Sequence, residues 1–141
     1  MTEPVRPRLR QVALDSTDAR ASAEFWRALL GLVYRAGHEP PPAGQDDPAG
    51  RDWINLFTAT GEPALAVQQV EDLPRTTWPA PGVPQQLHLD LSVADTSELD
   101  AVHTRVLELG GTLLLDRSAD PQEALRVYAD LDGHPFCVFV A

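Results

Sequence analysis

The sequence predicts an α+β fold built from two tandem βαβββ modules, and three observations carry that prediction. Two stretches resemble each other: residues 11–18 lead into a helix-like segment ending at Leu30-Gly31, and residues 88–95 lead into one ending at Leu109-Gly110. Three strand-like runs follow each helix-like segment. A proline-rich stretch, 72–84, falls between the two copies. Helix and strand patterns in this order fit helices packed on one side of each sheet.

The elements read in order. In the first strand Val12 and Leu14 alternate with Gln11, Ala13 and Asp15, the period of an extended chain. Asp18 stands where a helix N-cap belongs, since its carboxylate can accept the free N–H groups of the first turn. Ala21, Phe25, Ala28, Leu29 and Leu32 then share one face at helical spacing, and Gly31 supplies the stop. Runs at 32–35, 53–58 and 64–70 complete the first module, with Gly61-Glu62-Pro63 as a turn. Residues 37–50 hold four prolines and several acids, so they are expected to form a long mobile loop that can act as a lid. Residues 72–84 carry four more prolines around Trp78 and read as a semi-rigid link.

The second module repeats the plan. The strand at 86–93 alternates strictly, with Leu87, Leu89, Leu91 and Val93 on one face and His88, Asp90 and Ser92 on the other. Asp95 is the second N-cap. Leu99, Val102, Val106 and Leu109 form the apolar helix face, and Gly110-Gly111 ends it. Runs at 112–116, 125–129 and 136–140 follow, with a tight Asp132-Gly133 turn before the last. The expected division is one domain over 1–141: module one at about 8–71, link at about 72–84, module two at about 85–141.

Composition narrows the function. The chain carries 11 arginines and no lysine against 21 acids, a net charge of −10, which disfavours a phosphate-backbone partner. No apolar run approaches the roughly 18 residues that a membrane helix needs. Residues 1–11 contain three arginines but no apolar core of a secretion signal. A lone cysteine, Cys137, excludes an internal disulfide, and cytoplasm is the expected location. No nucleophile elbow, phosphate loop or dinucleotide fingerprint occurs.

The candidate site follows from the strands. If Leu89, Leu91 and Val93 pack on helices, His88 and Asp90 look into the hollow side of the sheet, as do Gln11 and Asp15 of the first strand. Polar groups turned inward on both strands point to a water-accessible cleft. His88 with Asp90 is the candidate acid–base pair, and Trp78, Trp53 and Phe57 are candidate apolar walls. The bland alternatives are polar lining for His88, a small buried hydrophobe for Cys137 and solvent-facing strand positions for Gln68 and Gln69.

Four stretches together resemble one superfamily. They are Phe25-Trp26-Arg27-Ala28-Leu29-Leu30-Gly31, Leu65-Ala66-Val67-Gln68, the span from Trp78-Pro79 through Pro84 to His88-Leu89-Asp90, and the span from Asp130 to Cys137. They are similar to the vicinal oxygen chelate superfamily of glyoxalases, bleomycin-resistance proteins and dioxygenases, in particular its actinobacterial glyoxalase-like branch. The resemblance implies a cupped eight-stranded mixed sheet, often completed by a homodimer or by the two modules closing on each other. It places metal-ligand positions at Gln11, Gln68 (or Gln69 in another hairpin register), His88 and Cys137. That set departs from the usual His, Gln and Glu donors. Two neutral amides give a divalent ion no charge compensation, and one imidazole with one thiol is few for a firm site. Two readings stay open. One is a small-molecule-binding module with no firmly held cofactor, using Gln11, Gln68, Trp53, Phe57, Trp78, His88 and Cys137. The other is a glyoxalase-type lyase or isomerase holding Ni, Zn, Fe or Mn through His88, Gln11 and Gln68.

Overall fold

A computed structural model describes all 141 residues. The first module runs β1 (Val12–Ser16), α1 (Ala19–Leu30), β2 (Val33–Tyr34), a short 3-10 turn (Ala49–Arg51), β3 (Trp53–Phe57) and β4 (Pro63–Gln69). The second runs β5 (Leu89–Val93), α2 (Thr96–Glu108), β6 (Thr112–Arg117), β7 (Leu125–Ala129) and β8 (Pro135–Val140). The eight strands form two four-stranded mixed sheets with the same plan, β1-β4-β3-β2 and β5-β8-β7-β6. In each sheet the first strand pairs parallel with the last, and the other ladders are antiparallel. The internal repeat read in the sequence is therefore a repeat of topology.

Both helices start and stop for the reasons their residues give. Asp18 accepts from the Ala21 N–H, and Asp95 accepts from the Glu98 N–H. Gly31 takes a left-handed φ of 68°, which a side chain adopts only at a cost, and Gly110 takes 96° beyond α2. Gly111 is a glycine for lack of room: a Cβ there would lie 2.5 Å from Val106 Cγ1.

One apolar core spans both modules. Phe25 and Trp26 of α1 reach across to Phe136 of β8, with ring centroids 6.1 and 4.9 Å apart, and Tyr128 of β7 stacks on Phe136 at 5.5 Å. All four rings are buried, as are Ile54, Leu56, Val67, Leu99, Val106 and Val138. Burial of each such side chain contributes roughly 1.5–3 kcal/mol, so this shared cluster is what joins the halves.

Two features differ from expectation. The strand expected at 86–93 begins only at Leu89, and Leu87 is 57% exposed instead of packing with the other leucines. Leu89 pairs with Phe136, so His88 would stand opposite Pro135, which has no N–H to extend the ladder. The 37–50 loop is fastened along its length. Arg20 grips Asp47 with two 2.8 Å bonds and donates a third to the His38 carbonyl, while His38 Nδ1 accepts from the Asn55 N–H at 2.9 Å.

Candidate functional site

A cavity of about 280 Å³ opens where β1, the 73–88 segment and the β7–β8 turn meet. The parallel register of β1 turns Ala13 and Asp15 outward while Leu14 and Ser16 go into the core. The turn is positioned from beneath. Trp26 Nε1 donates to Asp130 Oδ2 at 3.1 Å, and the other Asp130 oxygen accepts the N–H groups of Asp132 and His134, both at 2.9 Å. Asp130 is buried, and that burial raises its carboxyl above the ordinary carboxylate range. Gly133 gives the turn its φ of 93°. Two bonds then tie the turn to the first module: Ser16 Oγ donates to Asp132 Oδ1 at 2.9 Å, and His134 Nε2 meets the Asp15 carbonyl at 2.7 Å.

Of the residues singled out from sequence, His88 lines this cavity. His88 Nε2 also lies 3.2 Å from Asp90 Oδ1. Asp90 stands beside Cys137 across the parallel ladder, and His88, Asp90 and Cys137 present ligand atoms within 4.8 Å of one another. Burial, then the neighbouring Asp90 carboxylate, pushes the Cys137 thiol up, so the sulfur is held in its protonated form.

The first module's candidates gather elsewhere. Asn55 Oδ1 accepts from Trp53 Nε1 at 2.9 Å and from Gln11 Nε2 at 3.4 Å. Gln11 Oε1 is buried with no donor. Gln68 is exposed on the same sheet face, paired with Asp15 on one side and Trp53 on the other. Gln69 is spent on structure, accepting from the Ala19 N–H and donating to the Thr17 and Val70 carbonyls. Phe57 sits at the irregular end of β3 opposite Pro63. Trp78 is half-buried in the link, its N–H donating to Thr76 Oγ1. None of Gln11, Trp53, Phe57, Gln68, Trp78 or Cys137 lines the cavity.

Asp15, which the strand alternation turned toward the hollow, lines it too, and the cavity further recruits Trp26, Gln85, Asp132 and His134, to which sequence reading assigned no site role. The Asp132-Gly133 turn signal located the segment, but nothing in it told that the turn abuts β1.

As for metal fit, Gln11 has its amide nitrogen directed to Asn55, which leaves one neutral oxygen to offer an ion. His88, Asp90 and Cys137 form a better donor set, imidazole, carboxylate and thiol, suited to a borderline-soft ion once the thiol loses its proton.

Comparison with known proteins fixes the relationship. A family model described as "Glyoxalase-like domain" matches residues 11–139. The chain belongs to this glyoxalase-like family, within the vicinal oxygen chelate superfamily. Solved structures share the fold. A glyoxalase/dioxygenase from Nostoc punctiforme is 20% identical, with 99% of this chain and 97% of that one covered and a TM-score of 0.62. A glyoxalase/bleomycin resistance protein/dioxygenase family enzyme from Burkholderia phytofirmans is 12% identical, with 93% and 96% covered and a TM-score of 0.64. A mutant of the fosfomycin resistance protein FosX from Listeria monocytogenes, complexed with Mn(II) and 1S,2S-dihydroxypropylphosphonic acid, is 14% identical, with 97% and 94% covered and a TM-score of 0.66. No curated protein sequence matches this glyoxalase-like chain. No helix in it is long and apolar enough to cross a membrane.

Proposed function

We propose that this glyoxalase-like protein binds a small molecule in the cavity between β1, the 73–88 segment and the β7–β8 turn, without a firmly held metal. The observation that carries the reading is the cavity itself. At about 280 Å³ it lies just below the roughly 300–1,000 Å³ typical of small-molecule sites, and it mixes apolar walls with polar groups. His88 is the polar group on its wall that sequence reading also picked, with Asp90 beside it as the orienting carboxylate. Gln11, Gln68, Trp53, Phe57, Trp78 and Cys137 lie outside this cavity and take no part in the binding proposed for it. A cytoplasmic homodimer belongs to the same reading. The sheets end at β2 and β6, where Val33, Leu113 and Leu115 are exposed, and pairing covers such edges.

The test is a melting-temperature screen against a small-molecule library, repeated with His88→Ala. A ligand that raises the wild-type midpoint should raise that of the variant much less. An equal rise in both would remove His88 from the binding site.

A second reading, a metal-dependent lyase or isomerase, is favoured by the convergence of His88, Asp90 and Cys137. Gln11 and Gln68 would be its further ligands by family position. Metal analysis of protein purified without chelator separates the two. Less than a stoichiometric amount of Ni, Zn, Fe or Mn is expected, and a full equivalent would replace the first reading by the second.

A further inference from the structure

One wall of the cavity stands apart from the rest of the molecule. The stretch from Leu73 to Leu87 supplies seven of its 17 lining residues. None of residues 71–87 is buried, and Leu87 is 57% exposed. A single hydrogen bond leaves this segment: Arg75 Nη1 donates to the Leu131 carbonyl at 2.8 Å. The same side chain packs against Gly133, where an added Cβ would come within 3.2 Å of its Cζ. The 37–50 loop is just as irregular, yet Arg20 and the Asn55 N–H fasten it.

Within the segment, residues 76–83 are closed on themselves. The Thr77 N–H donates to the Val83 carbonyl at 2.8 Å, and the Val83 N–H donates back to Thr77 Oγ1 at 2.9 Å. Thr76 Oγ1 donates to the same Val83 carbonyl at 2.8 Å. A piece bonded to itself, with no buried side chain and one outward bond, can shift as a unit at low cost. Its contact beneath is imperfect as well. Gln85 Oε1 is buried with no donor, so lifting Gln85 breaks no hydrogen bond at that oxygen and lets water satisfy it. Arg75 is exposed, and its bond is readily exchanged for one to water.

Resting on the reading that this cavity binds a small molecule, we propose that residues 71–87 are a movable wall, latched to the β7–β8 turn by Arg75, whose opening admits ligands larger than the resting cavity. The other two walls are fixed to each other: β1 and the turn are joined by the Ser16–Asp132 and His134–Asp15 bonds. Of the three, the segment is therefore the one free to yield. Its ends are firm and serve as hinges. Val70 donates to the Ser16 carbonyl, and Leu89 pairs with Phe136. A resting volume of about 280 Å³, below the roughly 300–1,000 Å³ of most small-molecule sites, gives such a wall its use.

The first measurement needs no ligand. NMR relaxation dispersion of the backbone amides is recorded on the full chain, wild type and Arg75→Ala, a substitution at an exposed residue that spares the core. Microsecond-to-millisecond exchange is expected across 76–83 at one common rate, and at Leu131 and Gly133, with none in 37–50. Arg75→Ala should move the 76–83 resonances toward the minor state seen in the wild type. Flat dispersion across 76–83, or resonances that Arg75→Ala leaves in place, overturns the latched wall. The second measurement titrates benzyl alcohol and the bulkier diphenylmethanol, following the Ala13, Asp15 and His134 amides. Arg75→Ala is expected to bind diphenylmethanol at least about threefold tighter than the wild type, because more molecules are already open, and benzyl alcohol equally. An unchanged affinity for diphenylmethanol overturns the wall's control of ligand size. Silence of these amides toward both probes overturns the cavity as a ligand site, a failure that the ligand-free dispersion keeps separate from failure of the latch.

Discussion

Arg126 illustrates how single residues set the pH response of this fold. Its side chain is 10% exposed and faces Asp100 Oδ1 at 3.0 Å and Asp116 Oδ1 at 3.3 Å. The Asp116 carboxyl is pulled down to about 2, first by the Ser118 hydroxyl, then by the Ser118 N–H and Arg126. A carboxylate held below its unfolded value of 3.8 stabilises the fold above that value and loses the contribution as pH falls toward about 2. Asp47, lowered chiefly by its bond to Arg20, acts in the same direction. Asp130 acts oppositely: burial raises it, so its contribution is present below 3.8 and is lost as pH rises through the raised value. Urea unfolding of Asp116→Asn between pH 2 and 5 is expected to show a shallower acid fall than the wild type, and an unchanged slope would place the acid response elsewhere. Little of this is legible in the sequence. His38, His103 and His134, none of them a site candidate in the sequence, hold the Asn55 N–H, the Tyr128 hydroxyl and the Asp15 carbonyl. Those partners lie 17, 25 and 119 positions away, and no local pattern announces them.

Elements governed by their own residues are the ones the sequence reveals. Both helices were readable because a capping aspartate, an apolar face and a closing glycine are all local. The start of β5 was not, since it depends on Pro135 across the ladder. The 37–50 loop is the irregular chain its prolines announce, but its anchor was hidden for a similar reason: Arg20 belongs to α1. The Arg20–Asp47 pair is three-quarters or more buried on both sides and bidentate, which places it above the usual surface ion pair. Arg20→Ala should therefore raise amide hydrogen exchange across 37–51 and leave α2 unchanged. Equal protection in the variant would show that the 3-10 turn and the His38 bond hold the loop by themselves.

At the scale of the molecule the two modules are one cooperative body, because their aromatic core is shared. Phe136 touches Phe25, Trp26 and Tyr128, and its loss should cost about 3–5 kcal/mol. Phe136→Ala is thus expected to lower the unfolding midpoint sharply while tryptophan fluorescence and far-ultraviolet circular dichroism still move together. Separate transitions for the two signals would mean that the halves unfold independently. The repeat plan and the apolar strand faces were legible because they recur along the chain. The seam was not, because it joins residues from opposite ends of it. The parallel ladders carry a further consequence, for the order of events during folding. Val12 must find Leu65, and Leu89 must find Phe136, before either sheet can close. Such distant partners impose a loop-closure penalty on the search, so a nascent chain holds β1 and then β5 unmated until the distal strand of each module has been synthesised. During that interval their bare edges are the surfaces most prone to aggregation.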